Sequence, residues 1–130
     1  MMAARTILST VLISAGLCST AQASGELYCA TVDESVTVHI GLGRVPVFAP
    51  LGGRIETPDA TWSTEDQTIG SISGFYDDDD SIRVDFTDET VAEIIARLRV
   101  FQAYEAESYA MAGILQIVGK GSYAVICDGG

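Results

Sequence analysis

The pair Cys29 and Cys127, near the two ends of the part of the chain that follows an export signal, constrains the fold more than any other feature. Arg5 supplies a positive start, Ile7 to Leu17 is a short apolar run, and Ala21-Gln22-Ala23 is the small-residue pattern that a signal peptidase reads. The expected division is therefore a removable signal peptide over 1–23 and a single small disulfide-bonded domain over 24–130. The apolar run is shorter than the roughly 20 residues that a membrane helix needs, and no later segment suits a membrane span. Cys18 lies inside the signal. Its neighbour Leu17, with Ala15 and Gly16 displaced, matches a lipid-attachment site less well than Ala21-Gln22-Ala23 matches a cleavage site.

An exported chain with two remaining cysteines implies one disulfide, Cys29 to Cys127. That bridge closes almost the whole domain, and in the chain-entropy account a loop of that size contributes about 4–5 kcal/mol. Structural zinc asks for four ligands, so two isolated cysteines do not suggest a metal. A domain of this length builds one modest core, and a staple of this kind matters to it.

Charge narrows the partners. Residues 24–130 hold 6 basic against 18 acidic side chains, a net charge of about −12. Such a surface repels nucleic acid and anionic head groups, and it favours a basic protein or a divalent cation. Simple solubility outside the cytosol explains the same excess. The sequence has no Asn, which excludes N-glycosylation.

Hydrophobic periodicity points to a sheet. Glu26 to Thr31 reads as a first strand, Asp33-Glu34-Ser35 as a turn, and Val36, Val38 and Ile40 alternate with Thr37 and His39. Gly41-Leu42-Gly43 breaks that strand. Val45 to Pro50 reads as an edge or irregular strand because of its two prolines. Gly52-Gly53 reads as a turn, followed by a short strand from Arg54 to Thr57. Pro58 to Gln67 is loop-like, with Trp62 turned inward. Thr68 to Tyr76 and Ser81 to Phe86 are strand candidates joined across Asp77 to Asp80.

From Asp88 the pattern changes. Val91, Ile94, Ile95, Leu98 and Phe101 share one face at helical spacing, Thr87 or Asp88 can cap, and Asp88 and Glu89 suit a helix N-terminus. Thr90 and Glu93 offer a second capping register. This predicts one helix over about 88–103. Beyond it, Met111 to Val118 and Ser122 to Cys127 flank Gly119-Lys120-Gly121, a hairpin signal, and Asp128 to Gly130 reads as a frayed end. The expected fold class is α+β: a mostly antiparallel, curved or barrel-like sheet with one covering helix, closed by one disulfide that brings the first and last strands together.

Chemistry is sparsely marked. Asp77, Asp78, Asp79 and Asp80, with Asp85 close by, offer carboxylates to a hard cation such as calcium, without the glycine and closing glutamate of an EF-hand loop. Adjacent residues point in different directions, and a solvated hairpin tip explains the run more simply. His39, the single histidine, shares a face with Thr37 toward solvent. Gly70-Ser71-Ile72-Ser73-Gly74 places Ile72 where a nucleophile elbow needs serine. Gly41-Leu42-Gly43-Arg44 lacks the third glycine of a phosphate loop, and no zinc motif occurs. No catalytic or cofactor-binding residue is therefore assigned.

Leu27-Tyr28-Cys29, Ser73-Gly74-Phe75-Tyr76 and Cys127 together resemble the periplasmic inhibitors of c-type lysozyme. The resemblance rests on those residues. It implies a small disulfide-bonded β-barrel, a basic lysozyme as partner, and Ser73 and Tyr76 as residues of the binding surface. The functional expectation is an exported periplasmic or secreted binding or accessory module without catalytic activity. The alternatives are a lysozyme-inhibitor-like protein and a small cation-dependent hydrolase built on the aspartate run.

Overall fold

The computed structural model describes residues 25–43 and 50–129, with the side chains of Gly74 and Phe75 outside that description. The expected signal peptide, most of the proline-bounded strand over 45–50, and Gly130 lie outside the described residues.

Among the described residues nine strands make one antiparallel sheet: β1 (Gly25–Ala30), β2 (Thr37–Leu42), β3 (Pro50–Glu56), β4 (Thr61–Ser63), β5 (Ser71–Asp77), β6 (Ser81–Thr87), β7 (Ile94–Glu105), β8 (Ser108–Ile117) and β9 (Gly121–Gly129). Their order in the sheet is β4-β3-β2-β1-β9-β8-β7-β6-β5. The order in the sheet follows the order in the chain except at two places. One is the seam, where first strand meets last. The other is the passage from β4 to β5, the two edges of the sheet.

The sheet curls into a half-barrel that brings those edges together. A side chain at Gly53 on β3 would stand 3.2 Å from Ile72 Cδ1 on β5, although β3 and β5 do not pair. The segment between β4 and β5 spans the gap by hydrogen bonds: Thr64 N donates to Gly53 O, Ile69 N to Ser63 O, and Gly70 N to Thr87 O. Alternation along each strand then sorts the side chains. Val38 and Ile40, Val84 and Phe86, Leu98 and Val100, and Leu115 and Ile117 face inward and are almost fully buried. Trp62 packs against this core from the edge. Lys120 Nζ, in the β8–β9 turn, lies 5.4 Å from its ring centroid and 2.8 Å from Asp59 Oδ2.

The disulfide sits in the seam. Cys29 and Cys127 are directly opposed in the β1–β9 ladder, which runs from Leu27–Gly129 to Ala30–Ile126. Their Cα atoms are 4.0 Å apart, and both side chains are on the buried face.

No helix occurs among the described residues, so the expected α+β class and its covering helix over 88–103 are overturned. Asp88 does cap, but it caps a loop. Its Oδ1 accepts hydrogen bonds from the Ala92 and Glu93 amides, and its own amide donates to Glu93 O. Val91 has φ 59°, a left-handed conformation that ends any helix at that point. The rest of the presumed helix is β7. Ala96, Leu98 and Val100 alternate with Arg97, Arg99 and Phe101, a period-two pattern hidden beneath the period of 3.6. Pairing with β6 on one side and with all of β8 on the other decides between the two readings.

Four smaller expectations also change. Within the loop-like stretch from Pro58 to Gln67, Thr61–Ser63 is a strand, β4, paired with β3. Gly52 and Gly53 lie inside β3, and β2 continues through Leu42 with a register shift at Gly41/Leu42. Asp128 and Gly129 pair with Tyr28 and Leu27 and are part of the seam rather than a frayed end. The β8–β9 turn and the β5–β6 turn stand where expected, with Gly119 at φ 78°.

Candidate functional site

β7 and β8 outrun the rest of the sheet. Their ladder extends from Ala96–Ile117 to Glu105–Ser108, so the hairpin tip projects past the core. The inward alternation of β7 continues from Leu98 and Val100 to Gln102 and Tyr104, which therefore stand on the concave side at the rim. Tyr104 is directly opposite Tyr109, and their ring centroids are 4.5 Å apart at an interplanar angle of 30°. Tyr104 is 78% exposed and Tyr109 38% exposed.

The aspartate run joins this rim. It forms the β5–β6 turn, closed by Asp78 N donating to Ser81 O. Asp78 Oδ1 turns back and accepts from the amides of Asp80, at 2.8 Å, and Ser81, at 2.7 Å. Gln102 fastens the turn to the hairpin: its amide donates to Asp80 O, and its Nε2 donates to Asp78 O at 2.7 Å. Tyr109 donates its hydroxyl to Gln102 Oε1 at 3.0 Å. Asp77, Asp78, Asp79, Gln102 and Tyr104 line a shallow depression.

Their protonation follows from these contacts. The amides of Asp80 and Ser81 hold the Asp78 carboxyl below the usual range. Partial burial pushes Asp77 up, the charges of Asp78 and Asp79 add to the rise, and the Gln102 hydrogen bond opposes it. Burial, then Tyr104, Asp77 and Asp128, push the Tyr109 hydroxyl up. The rim is thus a fixed concentration of negative charge beside two aromatic faces.

Asp77 to Asp80 do not converge on one point. No group of three or more His, Cys, Asp or Glu among the described residues is arranged to hold a metal ion. Asp78 is committed to its own turn.

Ser73 and Tyr76 share the outer face of β5. Ser73 pairs with Asp85 and Tyr76 with Arg83, and the register shift between them puts an odd-numbered and an even-numbered residue on one face. Tyr76 lines an open depression with Asp78, Ser81, Arg83, Asp85 and Arg99. Arg99 donates to Asp85 Oδ1 at 2.8 Å and to Val84 O at 3.2 Å. His39 lies on the outer face of β2, with its Nδ1 against the Glu26 carboxylate and its ring 4.6 Å from that of Tyr28.

The sequence singles out the aspartates and offers Tyr104 and Tyr109, with Tyr76, Tyr123 and Trp62, as aromatic residues for a binding surface; it does not reveal Gln102 or the pairing of Tyr104 with Tyr109. The signal was present: Tyr104 and Tyr109 are placed symmetrically about Glu105-Ala106-Glu107-Ser108, as cross-strand partners about a tight turn must be. A helix ending near 103 concealed that symmetry. No family model matches the chain, and no curated protein or solved structure matches it either.

Proposed function

We propose that this is an exported, non-catalytic binding module that receives a basic protein partner at the rim formed by Asp77, Asp78, Asp79, Gln102, Tyr104 and Tyr109. One observation carries the reading: Gln102 ties the acidic turn to the stacked tyrosines, so carboxylates and aromatic faces are held together on one edge of a rigid sheet. That combination suits lysine and arginine side chains. The carboxylates supply charge, and a cation over an exposed tyrosine ring adds about 0.5–1 kcal/mol. A net charge of about −12 over residues 24–130 steers a basic protein toward the surface and raises its association rate.

Export rests on the signal pattern of residues 1–23, and the Cys29–Cys127 disulfide is compatible with an oxidising compartment. No helix among the described residues is long and apolar enough to cross a membrane.

A lysozyme-inhibitor-like role is the second reading. It is favoured by the bulge that brings Ser73 and Tyr76 to one face of an edge strand. A c-type lysozyme, itself basic, is therefore the probe for both readings. Its binding and its inhibition are measured with the oxidised protein and with two double variants, Tyr104→Ala/Asp79→Asn and Ser73→Ala/Tyr76→Ala. The rim reading expects the first variant to lose binding and the second to keep it. Inhibition lost only with the second assigns the β5 face instead. Loss with neither variant, or no binding at low salt, contradicts both.

A further inference from the structure

The outer face of β7, β8, β9 and β1 carries a group of exposed large apolar side chains. Phe101 is 74% exposed, Ile126 60% and Ile114 52%. The register makes them neighbours. One row runs Phe101–Ala112–Ile126–Ala30 across the four strands, and the next runs Arg99–Ile114–Ala124 across three. At the β1 end of the first row, Tyr28, Ala30, Val32 and Ile126 line a shallow depression with Glu34 and Asp128 at its margin. Val32 is 88% exposed.

Charge is not spread evenly around this patch. Arg83 and Arg99 oppose each other directly on β6 and β7, and Arg97 follows on the same face. Half of the 6 cations of residues 24–130 thus stand on one flank of the patch, where Asp85 pairs with Arg99 and leaves Arg83 and Arg97 as its excess positive charge. The opposite flank carries Glu34 and Asp128. The patch is positive on one side, apolar in the middle and negative on the other.

We propose that this face is the interface of a two-fold dimer of the chain. An axis in the plane of the interface, parallel to the strands and between β8 and β9, exchanges β8 with β9 and β7 with β1. The exposed ring of Phe101 in each copy then stands over Ala30 of the other and enters the Tyr28, Ala30, Val32, Ile126 depression. The same rotation carries the Arg83 and Arg99 flank of one copy to the side on which the other holds Glu34. Interfaces of this symmetry must be self-complementary, and this face is so in both shape and charge. A partner of uniformly basic or uniformly acidic character would meet repulsion on one flank, whereas a second copy presents both signs in the matching order. The net charge of about −12 opposes association through the acidic parts of the surface, and this face is where it is least opposed. The rim with Tyr104 and Tyr109 lies on the concave side and stays free, so the dimer presents two rims.

The test is sedimentation equilibrium and light scattering on the full chain, expressed and purified in oxidised form. A dimer is expected at micromolar concentration. Phe101→Asp is expected to weaken it at least 100-fold, with a melting temperature equal to that of wild type at dilutions where the wild type is also monomeric, because the ring is exposed in the monomer. Ile126→Glu serves in its place if that variant fails to fold. Arg83→Glu is expected to weaken the dimer, and adding Glu34→Arg to restore it in part. A protein that stays monomeric at millimolar concentration overturns the proposal, as does a dimer indifferent to both apolar substitutions or one in which the charge reversal gives no recovery.

Discussion

Breaking the Cys29–Cys127 bridge tests how the half-barrel is held. The sheet consists of two meanders, β1 to β4 and β5 to β9. They meet at the short β1–β9 seam and at the 64–70 segment that joins the opposite edges. The seam ladder spans only Leu27–Gly129 to Ala30–Ile126, whereas β7–β8 is paired from Ala96–Ile117 to Glu105–Ser108. The cysteines are separated by 98 positions, and a crosslink over a loop of that size removes about 4–5 kcal/mol of conformational freedom from the unfolded chain. A domain of this size has a total stability of about 5–15 kcal/mol. The bridge therefore supplies roughly a quarter or more of it. The perturbation is reduction of the native protein, compared with the Cys29→Ala/Cys127→Ala variant. The assay is urea unfolding followed by circular dichroism. The expected loss is about 4 kcal/mol, a fall in melting temperature of about 15–30 °C. The m-value is expected to rise, because the reduced unfolded chain expands and exposes more surface. A loss below about 1 kcal/mol refutes the entropic account of the bridge. A full-sized loss with an unchanged m-value places the effect in the native seam instead.

Further outcomes follow from the packing and the titrations. At Gly113 on β8, an added Cβ would lie 1.9 Å from Arg99 O and 2.7 Å from Val100 Cα, so Gly113→Ala is expected to cost more than the roughly 1–3 kcal/mol of ordinary overpacking; a thermal melt within 2 °C of wild type contradicts this. The carboxyls of Asp33, held down to about 2 by Thr31 and Ser35, and of Asp78 and Asp88, also lowered, stabilise the fold above their unfolded values. Stability is expected to fall as the pH drops from about 4 toward 2, measured by denaturation across that range. Asp77 has the opposite sign: its raised value means that ionisation opposes folding, so Asp77→Asn is expected to raise stability at neutral pH relative to wild type. Millimolar calcium is expected to leave the melting temperature unchanged, since Asp78 Oδ1 is already occupied by two amides; a rise that Asp78→Ala with Asp79→Ala abolishes contradicts that.

Local signals made much of the sheet legible. Val36, Val38 and Ile40 alternate, Gly119 marks a turn at positive φ, and the aspartate run stands where a hairpin tip needs polar residues. The two cysteines placed the first and last strands side by side. The error over 88–103 has a physical source. Between Val91 and Phe101 the same apolar residues satisfy two periods, and Asp88 supplies a cap that serves a loop as well as a helix. Pairing with β6 and with the long partner β8 decides between them, and that information lies outside the segment. Once the segment is a strand, Phe101 turns outward and Tyr104 comes opposite Tyr109, so the misread period also concealed the rim and the outer patch. Gly52 and Gly53 were misread for a related reason: within β3, Gly53 leaves room for Ile72 and Phe86 where the sheet curls, a need that arises from across the barrel.

The central claim, that the rim receives cationic side chains, is tested most directly by backbone amide chemical-shift mapping of the oxidised protein during titration with a tetralysine peptide and then with c-type lysozyme. The account predicts that the shifts concentrate on Asp77 to Asp79, Gln102, Tyr104 and Tyr109, shrink with added salt, and disappear in Tyr104→Ala/Asp79→Asn. Shifts confined to other strands, or spread evenly over the acidic surface and unaffected by that variant, would contradict it.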